Sequence, residues 1–296
     1  MPLWKNYHLA QSVNDALQAL SKAPRAASLI AGGTDLLLDL QQGRHPAVDT
    51  LVDITFVPEL TCLEVRGEFL FVGAAVPLNR IVANQFVQEH AQALVEACNL
   101  IGGPQVRNSA TLGGNVAHAL PAADGTIALL ALKAVAEIAS LDGQRLMDLQ
   151  ELFIGPGRSA LDPRREVLLG FHLPLRGMGD ASAFKRVMRP QGVALPILNM
   201  AVWVKRRGDV IADIRLALGP AGPRPLRAHA AEKAMVGQPL NKNTLNLALK
   251  ALLAETSFRS SPYRASADYR RHLSGTLLEE TLQEAWKRVY DNKPDS

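Results

Sequence analysis

Two glycine-rich strings are the part of this sequence best suited to hold an anionic ligand. The first occupies residues 31–35 (AGGTD) and the second residues 111–115 (TLGGN). Glycine permits a positive φ and has no Cβ, so the N–H groups of successive residues can converge on a phosphate. A single string of this kind is most often an ordinary turn of the chain. Two strings, about eighty residues apart and both carrying small hydroxyl or amide side chains, predict loops that grip one pyrophosphate.

Other motifs that carry chemistry are absent from the sequence. It contains neither a G-x-x-x-x-G-K-[ST] phosphate loop nor a G-x-G-x-x-G dinucleotide fingerprint. The seven histidines never occur as H-x-x-x-H, and no G-x-S-x-G elbow is present. Neither cysteine has the local signature of a nucleophile. We therefore predict no metal ligands and no catalytic residues, and we expect bond-breaking on a substrate to occur elsewhere.

Motifs along nearly the whole chain resemble one protein family. Besides the two glycine strings they are residues 101–108 (IGGPQVRN), 121–124 (PAAD), 155–157 (GPG), 166–169 (EVLL), 183–186 (AFKR) and 269–271 (YRR). In this order they resemble the FAD-binding medium subunit of the molybdenum hydroxylases, the family of xanthine dehydrogenase and aerobic carbon monoxide dehydrogenase. The resemblance implies one FAD per chain. It is expected to be non-covalent, because only His118 lies near either string as a residue that could attach it.

The residues themselves and the resemblance together predict a set of cofactor-binding positions. In the first string the N–H groups of Gly32–Asp35 and the Thr34 hydroxyl are the natural pyrophosphate donors. The resemblance adds neighbours of this string, the whole second string, an acid expected to accept sugar hydroxyls (Asp124) and positions near the flavin ring. The full predicted set is Leu29, Ile30, Ala31, Gly32, Gly33, Thr34, Asp35, Leu36, Ile101, Thr111, Leu112, Gly113, Gly114, Asn115, Asp124, Leu168 and Lys185.

Several of these residues have a second interpretation that the sequence leaves open. Asp35 could accept N–H bonds at the start of the following helix, and Asp124 could cap a helix in the same way. Lys185 could stabilise the reduced flavin ring, or it could be a surface cation on a strand. At Ile101 some relatives carry an aromatic residue that stacks on the flavin. His118 stands where relatives often carry asparagine or another small polar residue, so its role is also open.

Periodicity and turn signals predict the elements that position these residues. Ser12 caps a helix with Val13, Ala16, Leu17 and Leu20 on one face, and Pro24 ends it. The other predicted helices cover residues 87–100, 126–132, 228–236, 244–256 and 277–290, with Pro77 as the first residue of another helix. Predicted strands cover residues 28–31, 51–54, 60–65, 69–74, 134–141, 166–173, 182–188, 198–205 and 210–218, with a linker at 173–180.

These elements predict an α+β protein of three parts. We expect an N-terminal α/β FAD-binding domain at 1–56, a central α+β FAD-binding domain at 57–176 and a C-terminal domain at 177–296. The resemblance implies the same partition: a two-domain FAD-binding module of the vanillyl-alcohol-oxidase/PCMH type, followed by an antiparallel sheet packed with helices.

Composition limits the class and location of the protein. The chain has 296 residues with a net charge of +4, and no basic stripe is interleaved with aromatic residues, which argues against nucleic-acid binding. Cys62 and Cys98 are too few for an iron–sulfur cluster, and we expect both to be buried free thiols in a reducing compartment. Residues 1–25 lack the apolar core of a signal peptide, and no stretch is long enough to span a membrane. We therefore expect a cytoplasmic protein.

Three hypotheses for function follow. The first is an electron-transfer flavoprotein subunit, an oxidoreductase of the xanthine dehydrogenase type in a hetero-oligomer. The resemblance then implies a large molybdopterin-binding partner and a small partner with two two-iron, two-sulfur clusters. The second is a self-contained FAD-dependent oxidoreductase. The third is a scaffold that has lost its cofactor, which the intact glycines at positions 32, 33, 113 and 114 argue against.

Overall fold

The N-terminal part of the chain forms a small parallel sheet with helices. A computed structural model describes residues 3–23, 25–189 and 195–291. Its first elements are β1 (Asn6–Leu9), α1 (Val13–Lys22), β2 (Ala27–Ile30), α2 (Leu36–Gln41) and β3 (Thr50–Asp53). The strands lie in the order β1-β3-β2, all parallel. Two of the three strands were predicted, whereas β1 escaped prediction because most of its side chains are exposed.

Local capping explains where α1 begins. The Ser12 hydroxyl accepts a hydrogen bond from the Asp15 N–H at 3.1 Å, as the sequence predicts. Asp15 in turn accepts from the Gln11 N–H at 2.9 Å. Ala16, Leu17 and Leu20 are buried on one face of the helix. Pro24, which the sequence predicts to end the helix, lies outside the described residues.

The central part is an antiparallel sheet covered by short helices. Its helices are α3 (Pro58–Thr61), α4 (Leu78–Ala83), α5 (Gln85–His90), α6 (Gln92–Leu100), α7 (Pro104–Ser109), α8 (Leu112–Ala117) and α9 (Asp124–Ala131), with a 3₁₀ turn at Leu149–Leu152. Its strands are β4 (Leu63–Arg66), β5 (Phe69–Gly73), β6 (Val135–Ser140), β7 (Gly143–Asp148), β8 (Phe153–Gly155), β9 (Arg158–Ser159) and β10 (Val167–Pro174). Five strands pair in the order β4-β5-β10-β6-β7, and β8 pairs with β9.

The structure corrects three predictions in this part. The helix predicted over residues 87–100 is two helices, because Ala91 has φ −141° and ψ 50° and interrupts it. The strand predicted from Leu60 begins at Leu63, since residues 58–61 form α3. Pro77 precedes α4 with extended φ and ψ and is therefore the N-cap residue rather than the first helical residue.

The C-terminal part is an antiparallel sheet with helices on one side. Its strands are β11 (Asp180–Met188), β12 (Pro196–Arg207), β13 (Val210–Gly219) and β14 (Leu226–Arg227), in sequential order. Its helices are α10 (His229–Met235), α11 (Lys242–Glu255) and α12 (Ala267–Asp291). The last helix was predicted from Leu277 and begins at Ala267. The predicted linker shortens to residues 175–179, because β10 continues to Pro174 and β11 begins at Asp180.

The two faces of β11 pack against different parts of the molecule. Side chains alternate between faces along a strand. Ala183 belongs to the core that the sheet shares with α10, α11 and α12. Phe184 belongs to the central core, together with Ala201 of β12 and Ala217 of β13. The C-terminal sheet is therefore packed on both faces, and β11 carries side chains directly into the central part.

The three larger sheets of the described chain fall one each within residues 6–53, 63–174 and 180–227, and the β8-β9 pair also lies in the middle range. The domain boundaries at residues 56 and 176 stay a prediction. Among the described residues, no helix is long and apolar enough to cross a membrane. Cys98 is a buried free thiol as expected, whereas Cys62 is free but only partly buried.

Candidate functional site

The first glycine string is the turn between β2 and α2. Gly33 has a φ of +66°, a conformation that L side chains rarely adopt, so glycine is required there. Gly32 is required for another reason: a Cβ on it would lie 2.0 Å from the carbonyl oxygen of Ser109. The first string therefore packs directly on the backbone just before the second string. The fold brings the two strings together, as the sequence predicts.

The N–H groups of the first string have no acceptor within the described chain. None of the backbone N–H groups of residues 32–36 donates to an oxygen of the described residues. Backbone carbonyls of the string are used instead: Gly33 accepts from the Leu37 N–H at 3.0 Å, and Ala31 accepts from the Thr55 hydroxyl at 3.2 Å. Consecutive N–H groups without acceptors at a turn with one left-handed residue form a concavity suited to an anion.

The backbone N–H groups of the second string donate hydrogen bonds to acceptors within the protein. Leu112 donates to the Val76 carbonyl at 3.3 Å, and Gly113 donates to the Ala74 carbonyl at 2.8 Å. Gly114 donates to the Thr111 hydroxyl at 3.1 Å, and Asn115 donates to the Thr111 carbonyl at 3.0 Å. These N–H groups have acceptors within the described chain, and their convergence on a phosphate stays a prediction. They build the first turn of α8 and fasten it to the end of β5.

The two glycines of the second string face different surroundings. A Cβ on Gly113 would lie 2.6 Å from both the Cβ and the carbonyl oxygen of Ala74, so this glycine permits close packing. A Cβ on Gly114 would meet only the Thr111 hydroxyl, at 3.2 Å. The Gly114 side of the string is thus the side with room for a ligand to approach the backbone.

Asn115 connects the second string to α9. Its side-chain oxygen accepts a hydrogen bond from the Thr126 N–H at 3.3 Å, in the first turn of that helix. The N-cap residue of α9, Ala123, has no side-chain oxygen to offer. Asn115, although it lies in α8, therefore accepts the hydrogen bond that the side chain of the N-cap residue usually accepts. Its amide N–H groups donate to no acceptor in the part of the chain that the structure describes.

Asp124 is the first residue of α9, and its carboxylate faces the C-terminal sheet. It pairs with the Arg186 guanidinium of β11 and accepts from the Asn199 side-chain N–H of β12 at 2.6 Å. The hypothesis that Asp124 caps the helix is wrong, because its carboxylate accepts no N–H of α9. Burial raises the pKa of Asp124, and Arg186 and Asn199 act against that rise. The hydrogen bonds to sugar hydroxyls stay a prediction.

Sequence reasoning missed Arg186 and Asn199, which lie 62 and 75 residues from Asp124 along the chain. The available signal was strand alternation, which puts Arg186 on the face of β11 opposite to Lys185. Three buried polar atoms of this cluster have no hydrogen-bond partner among the described residues: Thr126 Oγ1, Arg186 Nε and Asn199 Oδ1. Buried polar groups in native proteins are normally paired, so unpaired ones mark a place where a polar ligand or ordered water fits.

The remaining predicted residues lie in the walls around the strings or away from them. Ile30 and Leu36 pack in one small core, and Leu29 and Ala31 in another, on opposite faces of β2. Ile101, Leu112 and Leu168 pack in the central core. The Lys185 ammonium lies 3.7 Å from the Glu280 carboxylate of α12, on the side of β11 that faces that helix. A place for Lys185 beside the flavin ring therefore stays a prediction.

His118, which follows α8, contacts two carboxylates, one in the first string and one on α2. Its Nδ1 lies 3.5 Å from an Asp35 carboxylate oxygen and its Nε2 lies 3.7 Å from an Asp39 carboxylate oxygen. Asp35 was predicted to support the start of α2, but its carboxylate accepts no N–H of that helix. Its contact with His118 lowers the pKa of Asp35 and raises the pKa of His118.

Taken together, these residues fit a dinucleotide. The first string offers unpaired N–H groups for phosphates, Gly114 leaves the backbone approachable, and unpaired polar atoms lie around Asp124. Among the described residues, no group of three or more side chains could hold a metal ion.

Comparisons with known proteins agree with this geometry. Residues 4–176 match the family model described as the FAD binding domain in molybdopterin dehydrogenase. Residues 182–285 match the CO dehydrogenase flavoprotein C-terminal domain. The chain is 33% identical to the xanthine dehydrogenase FAD-binding subunit of Escherichia coli O157:H7, over 95% of each chain. It is 31% identical to the nicotine 6-hydroxylase medium subunit of Paenarthrobacter nicotinovorans, over 96% of this chain and 98% of that one.

A solved structure shows the same fold. A chain of carbon monoxide dehydrogenase from Hydrogenophaga pseudoflava superposes with a TM-score of 0.92 at 29% identity. The match covers 97% of this chain and 99% of that chain. The similarity therefore extends over the three larger sheets and is not confined to the glycine strings.

Proposed function

The chain belongs to the family of FAD-binding subunits of molybdenum hydroxylases, and on that premise we propose that it carries electrons between partner subunits and an external acceptor. It is the flavoprotein subunit of an oxidoreductase. Its partners in this proposal are a large molybdopterin-binding subunit and a small iron–sulfur subunit. The complex is cytoplasmic, in agreement with the two free cysteines.

One observation carries the proposal: five consecutive N–H groups, at residues 32–36, point to no acceptor in the described chain. These groups bind the pyrophosphate of FAD, and the Thr34 hydroxyl adds a further donor. Gly33 supplies the left-handed conformation that the turn needs. The backbone just before the second string sets the position of this loop, because Gly32 packs on the Ser109 carbonyl.

FAD held by the first string would supply the redox chemistry of electron transfer between the partner subunits and the acceptor. This chain's residues bind the cofactor and hold it in position. The cluster of Asp124, Arg186 and Asn199 connects the cofactor domains to the C-terminal sheet. Two relatives whose sequences are 33% and 31% identical to this chain are named as subunits of a xanthine dehydrogenase and of a nicotine 6-hydroxylase. A substrate site in a partner subunit agrees with that diversity.

The visible spectrum of the purified full-length chain tests the proposal. We expect flavin absorption with one FAD per chain, and release of free FAD into the supernatant after denaturation. Flavin that stays with the denatured polypeptide would contradict non-covalent binding. A colourless chain that binds no added FAD would overturn the proposed function.

Expression together with neighbouring genes separates this proposal from a self-contained oxidoreductase. We expect subunits that contain iron–sulfur clusters and molybdenum to purify with the chain. Chemical reduction of the iron–sulfur clusters should be followed by bleaching of the flavin absorption. Full turnover of a substrate by this chain alone would favour the self-contained enzyme.

A further inference from the structure

His118 occupies a position between two carboxylates of the first cofactor loop and its helix. Asp35 ends the first string, and Asp39 follows one turn later on α2. The imidazole lies 3.5 Å from one carboxylate and 3.7 Å from the other, each on a different ring nitrogen. His118 itself is the C-cap residue of α8, in a different part of the sequence. The side chain thus connects α8 to the loop that carries the unpaired N–H groups.

The negative charges of the two carboxylates oppose the binding of an anion to this loop. Asp35 belongs to the run of residues whose N–H groups lack acceptors, and Asp39 lies on the same helix. A diphosphate approaching this loop meets two negative charges of its own sign. Solvent screens the exposed Asp35 carboxylate more strongly than the Asp39 carboxylate, which is only 25% exposed. The Arg44 guanidinium, 3.5 Å from the other Asp39 oxygen, offsets some of this charge.

Within the part of the chain that the structure describes, three charged groups contact His118 or its two carboxylate partners. From α2 they are Asp35 and Asp39, and from the segment after α2 it is Arg44. The sequence of α8 holds no charged residue, so His118 is the cation that this element can offer. With His118 neutral, two carboxylates stand against one guanidinium. With His118 protonated, the charges balance.

We infer that His118 is a positioning residue that neutralises Asp35 and Asp39 and thereby keeps the first loop receptive to the diphosphate of FAD. This inference rests on the proposed function, because it concerns the same cofactor loop. The role is exerted through the two carboxylates and requires no contact between His118 and the cofactor.

The direction of the pH dependence follows from the charges. Contact with Asp35, and secondarily with Asp39, raises the pKa of His118 against the opposing effect of burial. The diphosphate adds negative charge to this region, so the pKa of His118 is higher with FAD bound than without it, and affinity is lost as the pH rises through these pKa values. The phosphates of FAD stay ionised throughout. We therefore expect the affinity for FAD to fall as the pH rises from about 6 to about 9.

Titration of FAD into the flavin-free full-length chain across this pH range tests the inference. For the wild type we expect the dissociation constant to rise about three- to fivefold, the effect typical of one partly exposed charge. His118→Asn should bind at pH 6 as weakly as the wild type binds at pH 9, with no pH dependence. His272→Asn is the matched control, because His272 is exposed on α12. It should keep the wild-type profile.

A second variant separates charge neutralisation from a purely structural contact. Asp39→Asn removes one of the two carboxylates, so we expect the affinity of the variant at pH 9 to approach the wild-type affinity at pH 6. Asp39→Asn should also restore affinity to His118→Asn in the double variant, although that variant has neither contact. Asp39→Asn in the wild-type background also tests the inference without His118→Asn, whose own folding is checked by thermal melting.

Each outcome bears on one statement. A wild-type affinity that does not change with pH, or a His118→Asn profile equal to that of the wild type, overturns the role of His118. A double variant that binds no more tightly than His118→Asn also overturns it, because the contact would then be structural. Absence of FAD binding in every variant and at every pH would overturn the proposed function instead.

Discussion

The two glycine strings have similar sequences, but the fold uses them in different ways. Residues 32–35 of the first string, and residue 36 after it, have N–H groups without acceptors in the described chain. In the second string, the N–H groups of residues 112–115 donate to Val76, Ala74 and Thr111. The first string is therefore open to a ligand, and the second is part of the scaffold that holds it.

The same pair of glycines therefore has different structural roles in the two strings. Gly33 provides a left-handed turn, whereas Gly32 and Gly113 allow two segments of chain to touch. Gly114 alone among the four leaves open space beside a short contact with Thr111. Four predictions test the division between an open loop and a structural one, in order of decreasing effect.

The largest effect is expected where α9, which Asn115 of the second string contacts, pairs with the C-terminal sheet. Asp124→Ala leaves the Arg186 guanidinium buried without its partner, which should lower the free energy of unfolding by about 3–5 kcal/mol. Denaturant unfolding of the apo-protein measures this change. Replacing both partners, in Asp124→Ala/Arg186→Met, should recover part of the loss. A loss of only about 1 kcal/mol, the value of a helix cap, would contradict this account of Asp124.

The next effect concerns the close contact of the second string with β5. Gly113→Val places a branched side chain against the Ala74 backbone and should cost on the order of 3 kcal/mol of stability, whether or not FAD is present. Soluble yield and melting temperature report the result. Gly155→Val is the control, because no atom lies within 4 Å of the Cβ position there. Equal behaviour of the two variants would break the distinction between packed and open glycines.

Gly114→Val should affect the ligand rather than the fold. The added side chain meets only the Thr111 hydroxyl, so the chain should stay folded, but it fills the open side of the string. We expect the dissociation constant for FAD to rise about a hundredfold or more, equivalent to about 2.8 kcal/mol. Fluorescence titration with FAD and thermal melting of the apo-variant separate the two effects. A folded variant with wild-type affinity would show that no ligand approaches Gly114.

The smallest effect compares one threonine from each string. Thr111→Ala removes the hydroxyl that caps α8 and should lower stability by about 1 kcal/mol. Thr34→Ala should leave stability nearly unchanged and weaken FAD binding by about 1 kcal/mol, the value of one hydrogen bond. Melting each apo-variant and titrating it with FAD gives both quantities. The reverse pattern would exchange the roles of the two strings.

Local signals in the sequence were sufficient for many elements. The cap at Ser12, the strands β2 and β3 and the three long strands of the C-terminal sheet follow from residue type and spacing. Prediction failed at Ala91, where one helix becomes two, and at the short helices around the second string. These elements are only about one or two turns long, so tertiary packing rather than local propensity holds them.

The family, the cofactor and the two glycine strings could be stated from the sequence alone, because they depend on residue types at short spacings. The different roles of the two strings could not be stated from the sequence. These roles depend on contacts between residues far apart in the chain: Gly32 with Ser109, His118 with Asp35, and Asp124 with Arg186. An N–H group is open or occupied according to which carbonyl the fold brings to it, and glycine spacing carries no information about that carbonyl. The tertiary structure therefore decided which string is open to a ligand and which one supports it.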